Sequence, residues 1–203
     1  MYFKMLMKIV IATRNRKKVE EFRRILDGTC VAIQTLEDFP DCPEVDEDRD
    51  TFEGNAIKKA VAVSEYTGMA AVSDDSGIEV YALDGAPGVK SARYAGDGAS
   101  DRSNLDKLLA EMKGLPQADR GGRFVCVLAL AFPGGRVETF EGIVEGDVSE
   151  GPVGKGGFGY DPVFRPKGFD RTFGEMNAAE KDALSHRRIA LDKMSRYLKS
   201  GVV

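Results

Sequence analysis

The sequence predicts an α/β fold with a mixed central sheet flanked by helices. Two observations predict it. Strand-like and helix-like segments alternate over the first third of the chain, and parallel strands are reached through such crossovers. Later, two apolar runs are joined by Pro133-Gly134-Gly135, a hairpin signal that sets neighbouring strands antiparallel. One sheet holding both kinds of connection is mixed.

Each element has its own justification. Lys8–Ala12 (KIVIA) is a continuous apolar run and reads as a buried strand, followed by a polar turn over Thr13–Lys17. Val19, Phe22, Ile25 and Leu26 recur at helical spacing, and Gly28 closes that helix. Cys30–Thr35 reads as a second strand. An acidic stretch from Glu37 to Glu53 follows, carrying Asp38, Asp41, Glu44, Asp46, Glu47, Asp48 and Asp50, and reads as a solvated loop. Asp50 with Glu53 resembles a capping box for a helix over about Thr51–Thr67, which Gly68 ends. Ala70–Val72 is a short apolar run, and Ile78, Val80 and Ala82 alternate with Glu79 and Tyr81 as in a half-buried strand. Asp84–Gly88 is a loop. Leu105, Leu108, Leu109 and Met112 mark an amphipathic helix stopped by Gly114 and Pro116. Phe124–Phe132 and Val137–Val144 are the hairpin strands, with a glycine-rich loop at 151–159. Ile189, Ala190, Met194, Tyr197 and Leu198 form the apolar face of a last helix, with Ser185 as its N-cap.

Composition narrows the function. The 203 residues suit one domain, or two lobes around a shared core, with residues 1–6 a short leader and Met5 or Met7 an equally good start. A net charge of −4 argues against a general nucleic-acid binder but leaves room for a small anion held by a few local cations. Three cysteines, Cys30, Cys42 and Cys126, form no paired motif and suit a reducing cytoplasm. His186 is the single histidine, so zinc sites built on several histidines are excluded and a Ser-His-Asp triad would have to use it. A metal would then be held by oxygen ligands, which points to Mg²⁺ or Mn²⁺. No apolar run reaches the ~20 residues of a membrane span, and Met1–Met7 is too short for a signal peptide.

Four segments carry candidate chemistry, each with a plainer alternative. In "SDDSG" the adjacent carboxylates Asp74 and Asp75 stand between two strand-like runs, which reads as a tight turn or as a site. "TRNRKK" (Thr13–Lys18) lies where strand gives way to helix, a place where α/β proteins bind anions, or is a solvated basic turn. "GKGGFG" (Gly154–Gly159) fits a dinucleotide fingerprint, but "YDPVF" follows it and Pro162 stands where a helix would have to continue. What remains is a surface hairpin loop or a ligand loop presenting Phe158 and Tyr160, either of which could stack on a base. "EKDALSHRR" places Lys181, His186, Arg187 and Arg188 around the break before the last helix, as surface residues or as contacts to an anion or base.

Taken in order, T-x-N-x-x-K, "TFEGNA", "SDDSGIEV", "GAPGVKSARYAG", "GGFGYDPVF" and "EKDALSHR" resemble the inosine triphosphate pyrophosphatase, or Ham1-like, family over about Met7 to Leu198. The resemblance implies a single domain over 1–203 with two lobes and a nucleotide cleft between them. It implies hydrolysis of ITP, dITP and XTP to the monophosphate and pyrophosphate, with Mg²⁺ (or Mn²⁺) as cofactor, in a cytoplasmic homodimer that has no nucleic-acid or membrane partner. Carried across by motif, Thr13, Arg14, Asn15, Arg16, Lys17 and Lys18 cradle the triphosphate. Asp75 binds the metal and accepts the proton of the attacking water, and Ser76 touches the substrate. Phe158, Gly159, Tyr160, Asp161, Lys181, His186 and Arg187 surround the nucleotide. The family's Glu-Glu pair reads Asp46-Glu47 here, leaving either as the second metal ligand.

The residue types suit that chemistry. Mg²⁺ with Lys18 and Lys181 can offset charge on phosphates and leaving pyrophosphate. Donors at the purine 6-position accept a keto oxygen and face adenine's amino group donor to donor, and Arg187, His186 and backbone N–H groups near Phe158 are the candidate donors. The competing functions are a pyrophosphatase of other nucleotides, such as dUTP, and a non-catalytic nucleotide sensor.

Overall fold

The computed structural model describes residues 7–29 and 31–200, so the leader residues 1–6 and Cys30 lie outside the described residues. The elements are β1 (Met7–Ile11), α1 (Arg16–Leu26), β2 (Val31–Thr35), α2 (Phe52–Thr67), β3 (Ala70–Val80) and α3 (Asp101–Glu111). They continue as β4 (Gly121–Ala131), β5 (Val137–Val148), β6 (Phe164–Pro166), α4 (Ala178–Leu184) and α5 (His186–Lys199). The strands form one six-stranded sheet in the order β2-β1-β3-β4-β5-β6. β1 pairs in parallel with both β2 and β3, while β5 pairs antiparallel with β6. The sheet is therefore mixed and flanked by helices, as the alternation and the hairpin predict. Gly134 and Gly135 both take positive φ in the β4–β5 turn, the conformation that only glycine adopts at no steric cost.

Local chemistry sets the helix ends. The Asn15 side chain accepts from the N–H groups of Lys17 and Lys18, so α1 starts at Arg16, inside the stretch expected to be a turn. α2 is capped by Thr51, whose hydroxyl accepts from Gly54 N–H at 3.0 Å, so the Asp50–Glu53 capping box is corrected to a Thr51 cap. Gly68 ends α2 in the left-handed conformation, as expected. Ser185 accepts from Arg188 N–H at 3.1 Å and starts α5. α4 is an element that periodicity does not reveal; it is a two-turn helix with a capping box from Asn177 and Glu180.

The largest departure is β3. Ala70–Val80 is one continuous strand through Asp74, Asp75, Ser76 and Gly77, and no turn separates two runs. The 3-10 turn Tyr81–Leu83 begins where alternation suggests more strand. β3 lies inside the sheet and its side chains are buried on both faces, so polar residues persist in it only with partners. Gly77 meets a close approach: a Cβ there would lie 2.6 Å from the Gly88 carbonyl oxygen.

The chain divides into two compact units. Among the described residues, one comprises those within 7–75, 127–141 and 190–200, and its core includes Val10, Ala12, Leu36, Cys42, Val63 and Ala71. The other comprises 76–126 and 142–189, with Ile78, Leu105, Leu108, Phe124, Phe164 and Phe173 among its core residues. Among the described residues no helix is long and apolar enough to cross a membrane.

Candidate active site

In the first unit, α1, α2, β3 and the acidic segment converge on the paired aspartates. Both are buried, with Asp74 1% and Asp75 5% exposed. Burying two adjacent carboxylates is costly unless cations and donors reach them. Lys18, in the first turn of α1, lies 3.0 Å from the Asp74 carboxylate. Lys59, on α2, contacts Glu47 Oε1 at 2.5 Å and the Asp74 carbonyl oxygen at 2.7 Å, and lies 3.7 Å from Asp75 Oδ1. Asn55, one helical turn earlier, donates to Asp75 Oδ2 at 3.1 Å. Lys58 holds the Asp46 carbonyl oxygen and the Asp48 carboxylate.

The titration of Asp75 reflects this balance. Burial raises its carboxyl to about 6, against lowering by Lys59, further raising by Glu47, and lowering by Lys18 and the Asn55 hydrogen bond. For Lys59, burial alone would lower the ammonium, but the charges of Asp75, Asp74 and Glu47 outweigh it and raise the pKa. A carboxylate poised near neutrality suits proton transfer to or from water.

Among the described residues no group of three or more His, Cys, Asp or Glu side chains is placed to hold a metal ion. The oxygen donors of Glu47 and Asp75, brought to one ammonium by Lys59, nevertheless form a hard donor set. Mg²⁺ uses one or two carboxylates together with substrate phosphates, so this set fits it. Asp46 is exposed and meets Lys58 only through its backbone oxygen, which leaves Glu47 as the member of the pair that joins the cluster.

The remaining residues of the phosphate segment divide by role. Thr13 Oγ1 accepts from Asn15 N–H, and the Asn15 oxygen is occupied by capping α1. Arg14 donates to the Cys42 carbonyl oxygen at 2.6 Å, tying this segment to the acidic stretch. Arg16 and Lys17 are exposed.

In the second unit, Ser76 follows Asp75 directly along β3 and accepts from Arg187 at 2.9 Å. Arg187 is 1% exposed, and its guanidinium carbon lies 6.0 Å from the centroid of the Phe158 ring. Lys181 stands 4.5 Å from that centroid and pairs with Asp161 at 2.7 Å. Asp161 also accepts the Phe158 N–H at 2.7 Å, so one buried carboxylate fixes both the aromatic residue and the cation beside it. His186 is buried and stacks on Phe124 at 4.7 Å between centroids; it is not the exposed histidine that a basic segment suggests. The Gly159 N–H donates to Asp101 at 3.0 Å.

Tyr160 corrects a second expectation. Phe158 and Tyr160 are both candidates by sequence to stack on a base, but Tyr160 is a core residue whose hydroxyl donates to the Ser91 carbonyl oxygen at 2.9 Å. Burial pushes its phenol well above the ordinary value. Phe158 is half-buried.

Asn55 and Lys59 receive no role from their sequence, whereas Asp74 is read with Asp75 as part of a turn or of a site. A signal for the first two is present: they lie four residues apart on the α2 stripe that also carries Phe52, Ala56, Ala60 and Val63. Polar residues on a core-facing stripe need buried partners.

Residues 9–197 match the sequence model of the Ham1 family. A protein of Geobacter sulfurreducens named dITP/XTP pyrophosphatase is 48% identical over 191 residues, 94% of this chain and 96% of that protein. A Bacillus subtilis protein of the same name is 44% identical over 191 residues, 94% of this chain and 96% of its own length. Among solved structures, the Ham1 protein of Staphylococcus aureus matches with a TM-score of 0.84 at 38% identity, covering 95% of this chain and 98% of that one. A HAM1 protein from Coxiella burnetii matches with a TM-score of 0.87 at 36% identity, covering 96% and 100%.

Proposed function

The chain belongs to the Ham1 family, and on that premise we propose that it hydrolyses dITP, ITP and XTP to the nucleoside monophosphate and pyrophosphate. The observation that carries the proposal is Asp75: a buried carboxylate raised to about 6, next in sequence to the Ser76 that Arg187 holds. A buried carboxylate beside the Lys59 ammonium and the Asn55 donor is the kind of group that exchanges a proton with water.

In this proposal Lys18 and the positive end of α1 receive the phosphates, since an ammonium and a helix N-terminus both favour anions. Glu47 and Asp75 would hold Mg²⁺, or Mn²⁺. When bound, the ion neutralises phosphate charge and lowers the pKa of water. Asp75 takes the proton of a water directed at the α-phosphorus, and pyrophosphate leaves towards Lys18 and Lys59. Phe158 stacks on the purine, with Lys181 held beside it by Asp161. Arg187 supplies fixed, forked donors to the keto edge of the base, where adenine would present a donor. His186 orients that end of α5 through its stack on Phe124. Arg14 and Asn15 act by shaping the phosphate segment, and Thr13, Arg16 and Lys17 border it. Tyr160 and Gly159 fix the loop that carries Phe158.

The proposal treats 1–203 as one functional unit, working as a homodimer in the cytoplasm; light scattering of the purified protein tests the assembly. The activity is tested by incubating the protein and Mg²⁺ with dITP, ITP, XTP, GTP, ATP and dUTP. Monophosphate from the first three far ahead of the others is the expected result. Preference for dUTP, or binding without turnover, would overturn it.

A further inference from the structure

We infer that Asn55 is a positioning residue for Asp75, fixing the carboxylate and tying it to the acidic segment that carries Glu47. For what Asp75 does, this rests on the proposed function. Asn55 is fully buried on the core-facing stripe of α2, between Phe52 and Ala56, where an apolar residue would ordinarily pack. Its amide is engaged in three directions. Oδ1 accepts from Arg49 N–H at 2.9 Å, while Nδ2 donates to the Arg49 carbonyl oxygen at 3.2 Å and to Asp75 Oδ2 at 3.1 Å.

The geometry determines which way the amide faces. Closing on both the N–H and the carbonyl of one residue requires oxygen towards the N–H and nitrogen towards the carbonyl. That choice leaves the second N–H of Nδ2 for Asp75. A residue serving only to clamp the segment would not need the third bond, and one serving only Asp75 would not need the first two. The same helix holds the segment at its next turn, through Lys58 to Asp46 and Asp48 and through Lys59 to Glu47. Asp75 and Glu47, from a strand and a loop, are thereby both held by α2.

Two substitutions separate positioning from clamping. Asn55→Asp keeps the shape and can still accept the Arg49 N–H, but it sets an oxygen against Asp75 and against the Arg49 carbonyl in place of a donor. Asn55→Ala removes all three bonds. Positioning predicts that Asn55→Asp loses kcat on dITP by about 10- to 100-fold. The loss should be at least as large as in Asn55→Ala, with KM little changed and the Arg49 amide still protected from hydrogen exchange. Arg49→Ala, which keeps the backbone groups that Asn55 uses, should leave kcat unchanged. Near-normal kcat in folded Asn55→Asp, with only Asn55→Ala impaired and less stable, would reduce Asn55 to a loop clamp and overturn the inference. Asp75→Asn measured alongside keeps the two claims apart, because retained turnover there refutes the role of Asp75 whatever Asn55 does.

Discussion

Replacing Asp75 with asparagine should stabilise the protein while removing its turnover, and the stabilisation should grow with pH. Burial holds the Asp75 carboxyl at about 6 in the folded chain, against 3.8 for an ordinary aspartate. Between those values the folded protein keeps a proton that the unfolded chain has released, so stability falls as pH rises through that window. Below about pH 3.8 the residue contributes no penalty, and above about pH 6 the penalty is complete. Just over two pKa units at about 1.4 kcal/mol each give about 3 kcal/mol. At 5% exposure, solvent screening removes little of this. The asparagine can still accept from Asn55, and Lys59 keeps Glu47 and the Asp74 carbonyl oxygen, so the main interaction removed is the 3.7 Å approach of Lys59. The advantage of Asp75→Asn over wild type should rise from about 1 kcal/mol near pH 4.5 to about 3 kcal/mol near pH 8. Thermal melts of both proteins in chelator would read that rise as a Tm gap widening by about 4–8 °C. A gap independent of pH would mean that the Asp75 carboxyl is not raised by burial. A gap that reverses at high pH would mean that Lys59 and Lys18 outweigh burial.

Other substitutions probe the rest of the site. Asp75→Asn should reduce turnover by about 10²-fold or more with its fold intact, checked by steady-state kinetics and circular dichroism. Arg187→Ala should lower kcat/KM for dITP more than for dATP, by about 1–3 kcal/mol of discrimination. An equal reduction on both nucleotides would assign Arg187 to the phosphates. Tyr160→Phe removes the hydroxyl that meets the Ser91 carbonyl oxygen and should cost about 1 kcal/mol in denaturant melts with base selectivity kept; changed selectivity would restore Tyr160 as a base contact. Thr51→Ala should cost about 1 kcal/mol by removing the α2 cap, whereas Asp50→Ala should cost little.

Much of this molecule is legible in its sequence, because periodicity and turn chemistry are local. The hairpin at Pro133–Gly135, the cap at Ser185 and the stop at Gly68 each depend on a few neighbouring residues. β3 is not legible, since its aspartates read as a turn until lysines from two helices are brought to them. Lys18 and Lys59 lie 56 and 16 residues from the carboxylates of Asp74 and Asp75 that they meet, a separation that no local pattern reports. Tyr160 misleads for a related reason. Its neighbours resemble an exposed loop, yet its ring belongs to a core assembled from β3, β4, β6 and α3. The motif resemblance leaves the Asp46-Glu47 choice open, and the direction of Lys59 favours Glu47.

Attack of water at the α-phosphorus of a 6-keto purine nucleotide is read by hydrolysing dITP in ¹⁸O-labelled water and identifying the first products. Attack there gives equal amounts of pyrophosphate and dIMP, the label in dIMP, and no dIDP at any time. Inorganic phosphate with dIDP as first products, or label in the pyrophosphate, would contradict it.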